Sequence, residues 1–403
     1  MKTFSILNSM KFGYFMLVVC VTLLLGANAC SSEEFGMDVP EVSRTIETRA
    51  AEPLPVSMTA HKKEVRIRCL ATEDITVYWD EEDSTKIYSR DNNVHRYTFA
   101  VEKEKYNIEI KAHKNSILEL DVSGNELDYL NVENNTNLEV LECNNNKLKS
   151  LSLTGCLNLR EISATWNELS TIDLTDLYYL NKINLSINKF TQGIDFSKNL
   201  NLHSLWLEHC EMSELDVSKN KYLQYLNIGG NYIQNLDLTN NTDLREITLY
   251  DLPLYTINNK DINRTSFSSF KQLETLNIQN IPFDALDLSQ NKQIRILVIY
   301  GTEIDTLDLR EVFIDELYAD GSKLRTIMCA EKSLMYCYLL TLYNTPFETQ
   351  DENYLRDFVT DYLYDRRNNP IRDGSVVTGY IFTNSPTIIG YAKRLQLMNW
   401  VVL

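Results

Sequence analysis

Catalysis or metal binding needs acids, bases, nucleophiles or soft ligands brought together, and one short run in this chain combines them: Glu208-His209-Cys210. The other histidines, His61, His95, His113 and His203, are scattered. The eight cysteines, Cys20, Cys30, Cys69, Cys143, Cys156, Cys210, Cys329 and Cys337, form no CxxC pair and no metal quartet. No Gly-rich phosphate loop, HExxH or GxSxG occurs. Cys210 falls in a slot that the neighbouring units of a repeating pattern give to a buried asparagine, where a free cysteine acts as a small hydrophobe. The reading is therefore no catalytic residue, no metal, no cofactor and no enzyme.

Charge narrows the partners. The 403 residues carry a formal −17, and 44% are hydrophobic. Duplex binding rests on Lys and Arg neutralising phosphates, so nucleic acid is excluded as a partner. The acidic balance reads as a solvated exterior that repels polyanions.

The elements that must position any site come from a period. The residues Leu120, Leu141, Ile162, Ile183, Leu205, Leu226, Ile247, Leu276, Leu297 and Leu317 align at spacings of 21, 21, 21, 22, 21, 21, 29, 21 and 20. The clearest unit runs Leu223-Gln224-Tyr225-Leu226-Asn227-Ile228-Gly229-Gly230-Asn231 and closes on Leu236-Asp237-Leu238. This period with L-x-x-L-x-L marks leucine-rich repeats. Leu223, Leu226 and Ile228 fill a core under a short parallel strand. Asn231, like Asn125, Asn146, Asn167 and Asn188, satisfies backbone groups of the adjacent coil. The slot becomes Leu252, Ile281, Thr302 and Ser322 in later units, so the ladder breaks there. Recurring Leu-Asp-Leu predicts a second short strand per turn. The 29-residue unit predicts a protruding loop at Asn259–Ser269. The pattern resembles the internalin-like repeats of bacterial surface proteins.

The expected fold is an α/β-type, mostly β solenoid: a right-handed leucine-rich-repeat coil with a parallel concave sheet, an N-terminal β cap and a C-terminal α/β cap. Residues 1–29 read as a signal peptide, 30–54 as a flexible tether, 55–113 as a β domain, 114–328 as about ten repeats and 329–403 as the C-terminal cap. In the β domain, period-two runs such as Val65–Arg68, Ile75–Trp79 and Tyr106–Ile110 predict strands. Val77-Tyr78-Trp79-Asp80, His95-Arg96-Tyr97 and Tyr106–Ile110 resemble PKD-like, immunoglobulin-type modules. The tail predicts a helix over Asp351–Arg366, a strand over Val376–Phe382, a helix over Ile388–Leu397 and a last strand at Trp400-Val401-Val402.

Lys2 and Lys11 precede an apolar run from Phe12 to Leu25, and Leu25-Gly26-Ala27-Asn28-Ala29-Cys30 resembles the lipobox of bacterial lipoproteins. That resemblance implies a lipidated Cys30 and a membrane contact through the anchor alone. Ser31-Ser32-Glu33-Glu34 resembles the surface-export signal of Bacteroidetes lipoproteins and implies an outer-membrane protein facing outward.

Residues flanking each central leucine, and the residue three beyond it, should point out of the concave sheet. Those singled out for ligand contact are Trp206, Glu208, Tyr225, Asn227, Tyr250, Ile296, Val298, Tyr300, Tyr318 and Asp320. Trp and Tyr on a rigid sheet are the residue types that anchor interfaces. The expected partner is a protein, with a glycan stacked on the aromatic strip as the alternative.

Overall fold

A computed structural model describes residues 55–79, 83–112, 116–262, 267–330, 333–363 and 378–403. Cys30, the signal peptide and the tether lie outside the described residues. The chain is built around one 15-stranded sheet. Its central run has one short strand per coil: β7 (Ile117–Asp121), β9 (Val140–Glu142), β10 (Glu161–Ser163), β11 (Lys182–Asn184), β12 (Ser204–Trp206), β13 (Tyr225–Asn227), β15 (Glu246–Thr248), β18 (Thr275–Asn277), β19 (Ile296–Val298) and β21 (Glu316–Tyr318). These pair in parallel, with the ten aligned leucine-type residues side by side in register from Leu120 to Leu317. All ten are buried. A period of 21 thus becomes one turn per strand, and each coil buries its apolar wall only against its neighbours.

The asparagines hold the coils together. Asn188 Nδ2 donates to Ala164 O on the preceding coil at 2.9 Å and to Leu185 O at 2.8 Å. Its Oδ1 accepts from Leu169 N at 2.9 Å. Asn146, Asn167 and Asn231 repeat this set of bonds. Asn125, which begins the ladder, grips the N-terminal module instead, exchanging bonds with the backbone of Arg66 at 2.7 and 2.9 Å. This side-chain link between coils ends after Asn231, at Leu252 and Ile281; Thr302 and Ser322 bond within their own coil, each donating to the carbonyl three residues back.

A second ladder, not anticipated above, runs through Asn199, Asn220, Asn241 and Asn291, all fully buried. Asn220 Nδ2 donates to Phe196 O and Asn199 O at 3.1 and 2.9 Å. Its signal is a Ser/Thr-x-Asn triplet after the runs at 194–196, 215–217, 236–238 and 286–288.

Among the described residues the second strand per turn is mostly absent: only β14 (Asn235–Leu236) with β16 (Thr256–Ile257), and β20 (Thr306–Asp308) with β22 (Thr326–Met328), pair in this way. With or without a paired strand, the aspartate closes a turn: Asp195, Asp216, Asp237, Asp287 and Asp308 each accept the N–H two residues on at 2.8–3.0 Å. The long unit folds part of its insertion as a hairpin between β16 and β17 (Lys260–Asp261), with Asn258 and Asn259 at positive φ. Residues 263–266 of the expected protrusion lie outside the described residues.

Before the repeats, β1 (Val56–Ala60), β3 (Ile75–Tyr78), β4 (Ser84–Ile87) and β6 (Tyr106–Lys111) join β8 (Leu127–Asn131) in a five-stranded sheet of order β4-β3-β6-β1-β8. β2 (Glu64–Ala71) and β5 (Val94–Thr98) instead extend the long sheet, with β2 antiparallel to β7. The N-terminal strands therefore continue both walls of the first coil. After the repeats, the parallel ladder runs on through β23 (Leu339–Thr341), β24 (Gly379–Phe382) and β25 (Trp400–Val402). The tail keeps winding although its sequence period is lost. Its helices are short: α1 (Glu352–Asp357), followed by a π turn, then α2 (Pro386–Gly390) and α3 (Ala392–Leu397).

Candidate functional site

The outward face of the long sheet gathers the singled-out residues. Trp206 and Tyr225 stand half-buried on adjacent strands, and the Lys182 ammonium lies 5.9 Å from the Trp206 ring centroid. Ile296 and Tyr318 are half-buried, and Tyr300 is 39% exposed. Five others are buried rather than solvated: Glu208, Asn227, Tyr250, Val298 and Asp320.

The burial of Tyr250 has a local cause. Its ring lies across Gly229 on the preceding coil, where an added Cβ would sit 2.3 Å from it. The hydroxyl thereby reaches two coils back and donates to the Glu208 carboxylate, with His209 Nε2 at 3.3 Å. Burial first, then the adjacent Glu208 carboxylate, push the Tyr250 phenol well above its usual range. The Glu208–Cys210 run is thus split by the fold. Glu208 and His209 meet Tyr250, while Cys210 points into the core and donates to Leu185 O at 3.2 Å. Burial raises that thiol to about 12, which leaves it protonated and poorly nucleophilic.

A second cluster centres on Glu316. The hydroxyls of Tyr318 (2.6 Å) and Tyr338 both donate to its carboxylate. Asp320 accepts from the Tyr343 backbone N–H at 2.7 Å. Tyr338 and Tyr343 were not singled out, because the 23-residue step from Leu317 to Leu340 falls outside the repeat register.

The face is acidic. Its strand positions from β7 to β21 and the second residue beyond each strand carry Glu119, Asp121, Glu142, Glu161, Glu208, Glu246, Glu316 and Asp320 against a single lysine, Lys182. Arg68 of β2 reaches Asp121 and Glu142 at 3.8 and 3.4 Å. Desolvation, then the charge of Asp121, raise the Glu142 carboxyl. Desolvation lifts Glu246 to about 7, so the charge of this face changes near neutral pH. Along one margin, Arg160–Glu139, Arg245–Glu274 and Arg295–Asp315 pair across coils at 3.1–3.5 Å. Among the described residues no group of three His, Cys, Asp or Glu side chains is arranged to hold a metal ion.

Stacked parallel strands, one per coil, with a buried asparagine ladder, define a leucine-rich-repeat solenoid. No family model matches the chain, and no curated protein matches it. It is similar to several solved structures. One is the functional domain of InlJ from Listeria monocytogenes, which includes a cysteine ladder: 18% identity, 57% of this chain, 68% of that one, TM-score 0.38. Another is the internalin inlF from the same organism: 21% identity, 56% of this chain, 81% of that one, TM-score 0.41. A third is the leucine-rich repeat domain of APL1B: 13% identity, 70% of this chain, 87% of that one, TM-score 0.42.

Proposed function

We propose that this chain is a non-enzymatic cell-surface binding protein that recognises a protein ligand through the outer face of its long sheet. The observation that supports the reading is the company its aromatics keep. Trp206, Tyr225 and Tyr318 sit on short strands locked by hydrogen bonds on both sides, with Tyr300 two residues past the end of β19, among carboxylates that outnumber basic groups. A rigid, prebuilt surface loses little conformational entropy on binding. Aromatic anchors supply contact area, and the carboxylates select a partner with a complementary basic patch.

The test is affinity capture with the mature protein, followed by Trp206→Ala and Tyr300→Ala. Both should weaken a captured partner at least tenfold, about 1.4 kcal/mol, with the denaturation midpoint little changed. If binding is untouched by both, the face is not the site. Glycan recognition by the same aromatics is the second reading, tested on a glycan array with the same variants.

In this reading the chain is a lipoprotein anchored through Cys30, PKD-like at its N-terminal module and exposed on an outer membrane. Several acyl chains on Cys30 meet the requirement for stable anchoring. Cys30→Ala should move the protein from the membrane to the soluble fraction. Protease shaving of intact cells reads its orientation.

A further inference from the structure

A groove of about 1200 Å³ opens on the N-terminal module, away from the outer face of the long sheet. Its floor follows from strand alternation. In β1, β3 and β6 the apolar side chains are buried, while Ser57, Thr59, Tyr78, Asn107, Glu109 and Lys111 face the other way. Register places Tyr78, Glu109 and Ser57 in one cross-strand row, and Asn107, Thr59 and Tyr129 in the next. Tyr129 is 49% exposed and Tyr78 37%. The two rings stand on β8 and β3, three strand spacings (~14 Å) apart across the sheet and one row apart along it.

The segment before β6 forms a wall. Buried Tyr106 fixes it: the hydroxyl accepts from Lys103 N at 2.8 Å and donates to Val101 O at 3.1 Å. The run Glu102-Lys103-Glu104-Lys105 is thereby sorted by face. Lys103 and Lys105 line the groove, whereas the two glutamates do not. The groove's acids have partners within it. Asp83 accepts the Tyr97 hydroxyl, and Glu109 pairs with Lys111 at 3.4 Å. Lys111 also stands 4.7 Å over the Tyr78 ring. A protein of net charge −17 therefore presents a lysine-lined groove.

We propose that this groove binds an acidic oligosaccharide. The lysines fix the sign of the ligand. The floor fixes its class: flat rings separated by amide and hydroxyl groups suit a polyhydroxylated chain whose rings stack while its hydroxyls hydrogen-bond. An acidic peptide fits less well. The floor is a sheet face in which β3, β6 and β1 are paired on both sides, so no strand edge there is open to another backbone. Lys103 and Lys105 take the sugar carboxylates, Tyr129 takes a ring, and Asn107 and Thr59 bind hydroxyls.

Isothermal titration of the full-length protein with oligogalacturonate, a neutral gluco-oligosaccharide and poly-glutamate tests this, with sialylated and sulfated chains on an array beside it. Acidic sugars should bind, while the neutral sugar and poly-glutamate should not. Tyr129→Ala and the double change Lys103→Ala with Lys105→Ala should each weaken binding about tenfold or more. Lys105→Arg should retain it. Tyr129 and both lysines are exposed, so an unchanged denaturation midpoint will show that these variants fold. Trp206→Ala should leave the sugar affinity unchanged, which separates this site from the proposed protein-binding face. Equal binding of poly-glutamate, indifference to Tyr129→Ala, or no binding by any acidic sugar overturns the proposal.

Discussion

Gly229 shows how one residue decides what its neighbours on the coils either side can do. With no Cβ, it lets Tyr250 lie flat and reach Glu208. Gly229→Ala forces the ring aside and leaves a buried carboxylate short of a donor, which should destabilise the protein by about 1–3 kcal/mol. The same change in a Tyr250→Ala background should be nearly silent. A double-mutant cycle in denaturant should therefore return a coupling on the order of 1 kcal/mol or more, and additive effects would contradict the contact. Glu246 gives a residue-scale prediction in pH. Its carboxyl is held up at about 7 by burial, well above its value in the unfolded chain. The stability it allows is full below the unfolded value and is lost as pH rises through about 7. Glu246→Gln should therefore gain on the native protein at pH 8 and match it near pH 5. Neither residue's role was legible in the sequence. The depth of a side chain three places after the central leucine depends on what the adjacent coil presents there, about 21 residues away. The Asn188 ladder was legible, because its bonds need only a fixed offset from the central leucine.

Coils and turns obey a simpler grammar, with one misreading. Leu-Asp-Leu looks like strand alternation, but the aspartate carboxylate bonds the N–H two residues ahead and bends the chain. The local side-chain bond forms on coils with a second strand, at Asp237 and Asp308, and on coils without one, at Asp195 and Asp216, so the motif marks the turn and not the strand. Those bonds hold Asp173, Asp195, Asp216 and Asp237 below the usual carboxylate range, the backbone N–H being the first cause in each. Asp308 is lowered too, by Arg310 first. A depressed folded value means stability that is present above the unfolded pKa and lost as pH falls through the folded one. Denaturation midpoints should hold through mildly acidic conditions and fall below about pH 4. Asp216→Asn keeps an acceptor for Ser218 N and should flatten the acid limb slightly. An acid limb unaffected by several such changes would place its origin elsewhere. The tail was harder to read for an element-scale reason. Its strands rejoin the sheet after connections of unequal length that contain helices, so register persists while period does not. β24 and β25 pair in parallel with Tyr380 opposite Val401, a step of 21 residues, but the steps of 23 and 41 that precede it, Leu317 to Leu340 and Leu340 to Ile381, break the frame that would have pointed to them.

At the scale of the molecule, a stack of coils is stable only if its ends are closed. Each coil buries its core against two neighbours, and an end coil has one. At the N-terminus the missing neighbour is supplied in full. β2 pairs with β7, β1 pairs with β8, and Arg66 exchanges backbone bonds with the amide of Asn125. Val65, Ile67 and Cys69 of β2 and Met58 of β1 are buried in the core shared with the repeats. The module is joined to the array on both walls, unlike a bead tied to it by a linker. Cutting the chain back to begin at Ser116 would remove all of this at once. It would uncover the edges of β7 and β8, leave the Asn125 amide without its bonds to Arg66, and open an apolar cross-section under Leu120. Exposed strand edges beside apolar surface pair with other chains. The truncated protein should therefore associate with rising concentration in light scattering, and its denaturation midpoint should fall well below that of the intact chain. Restoring the module as a separate polypeptide in excess should reverse part of the association if it folds and docks alone. A truncated chain that stays monomeric with an unchanged midpoint would mean that the first repeat closes its own end, and that the β module is retained for what its groove binds.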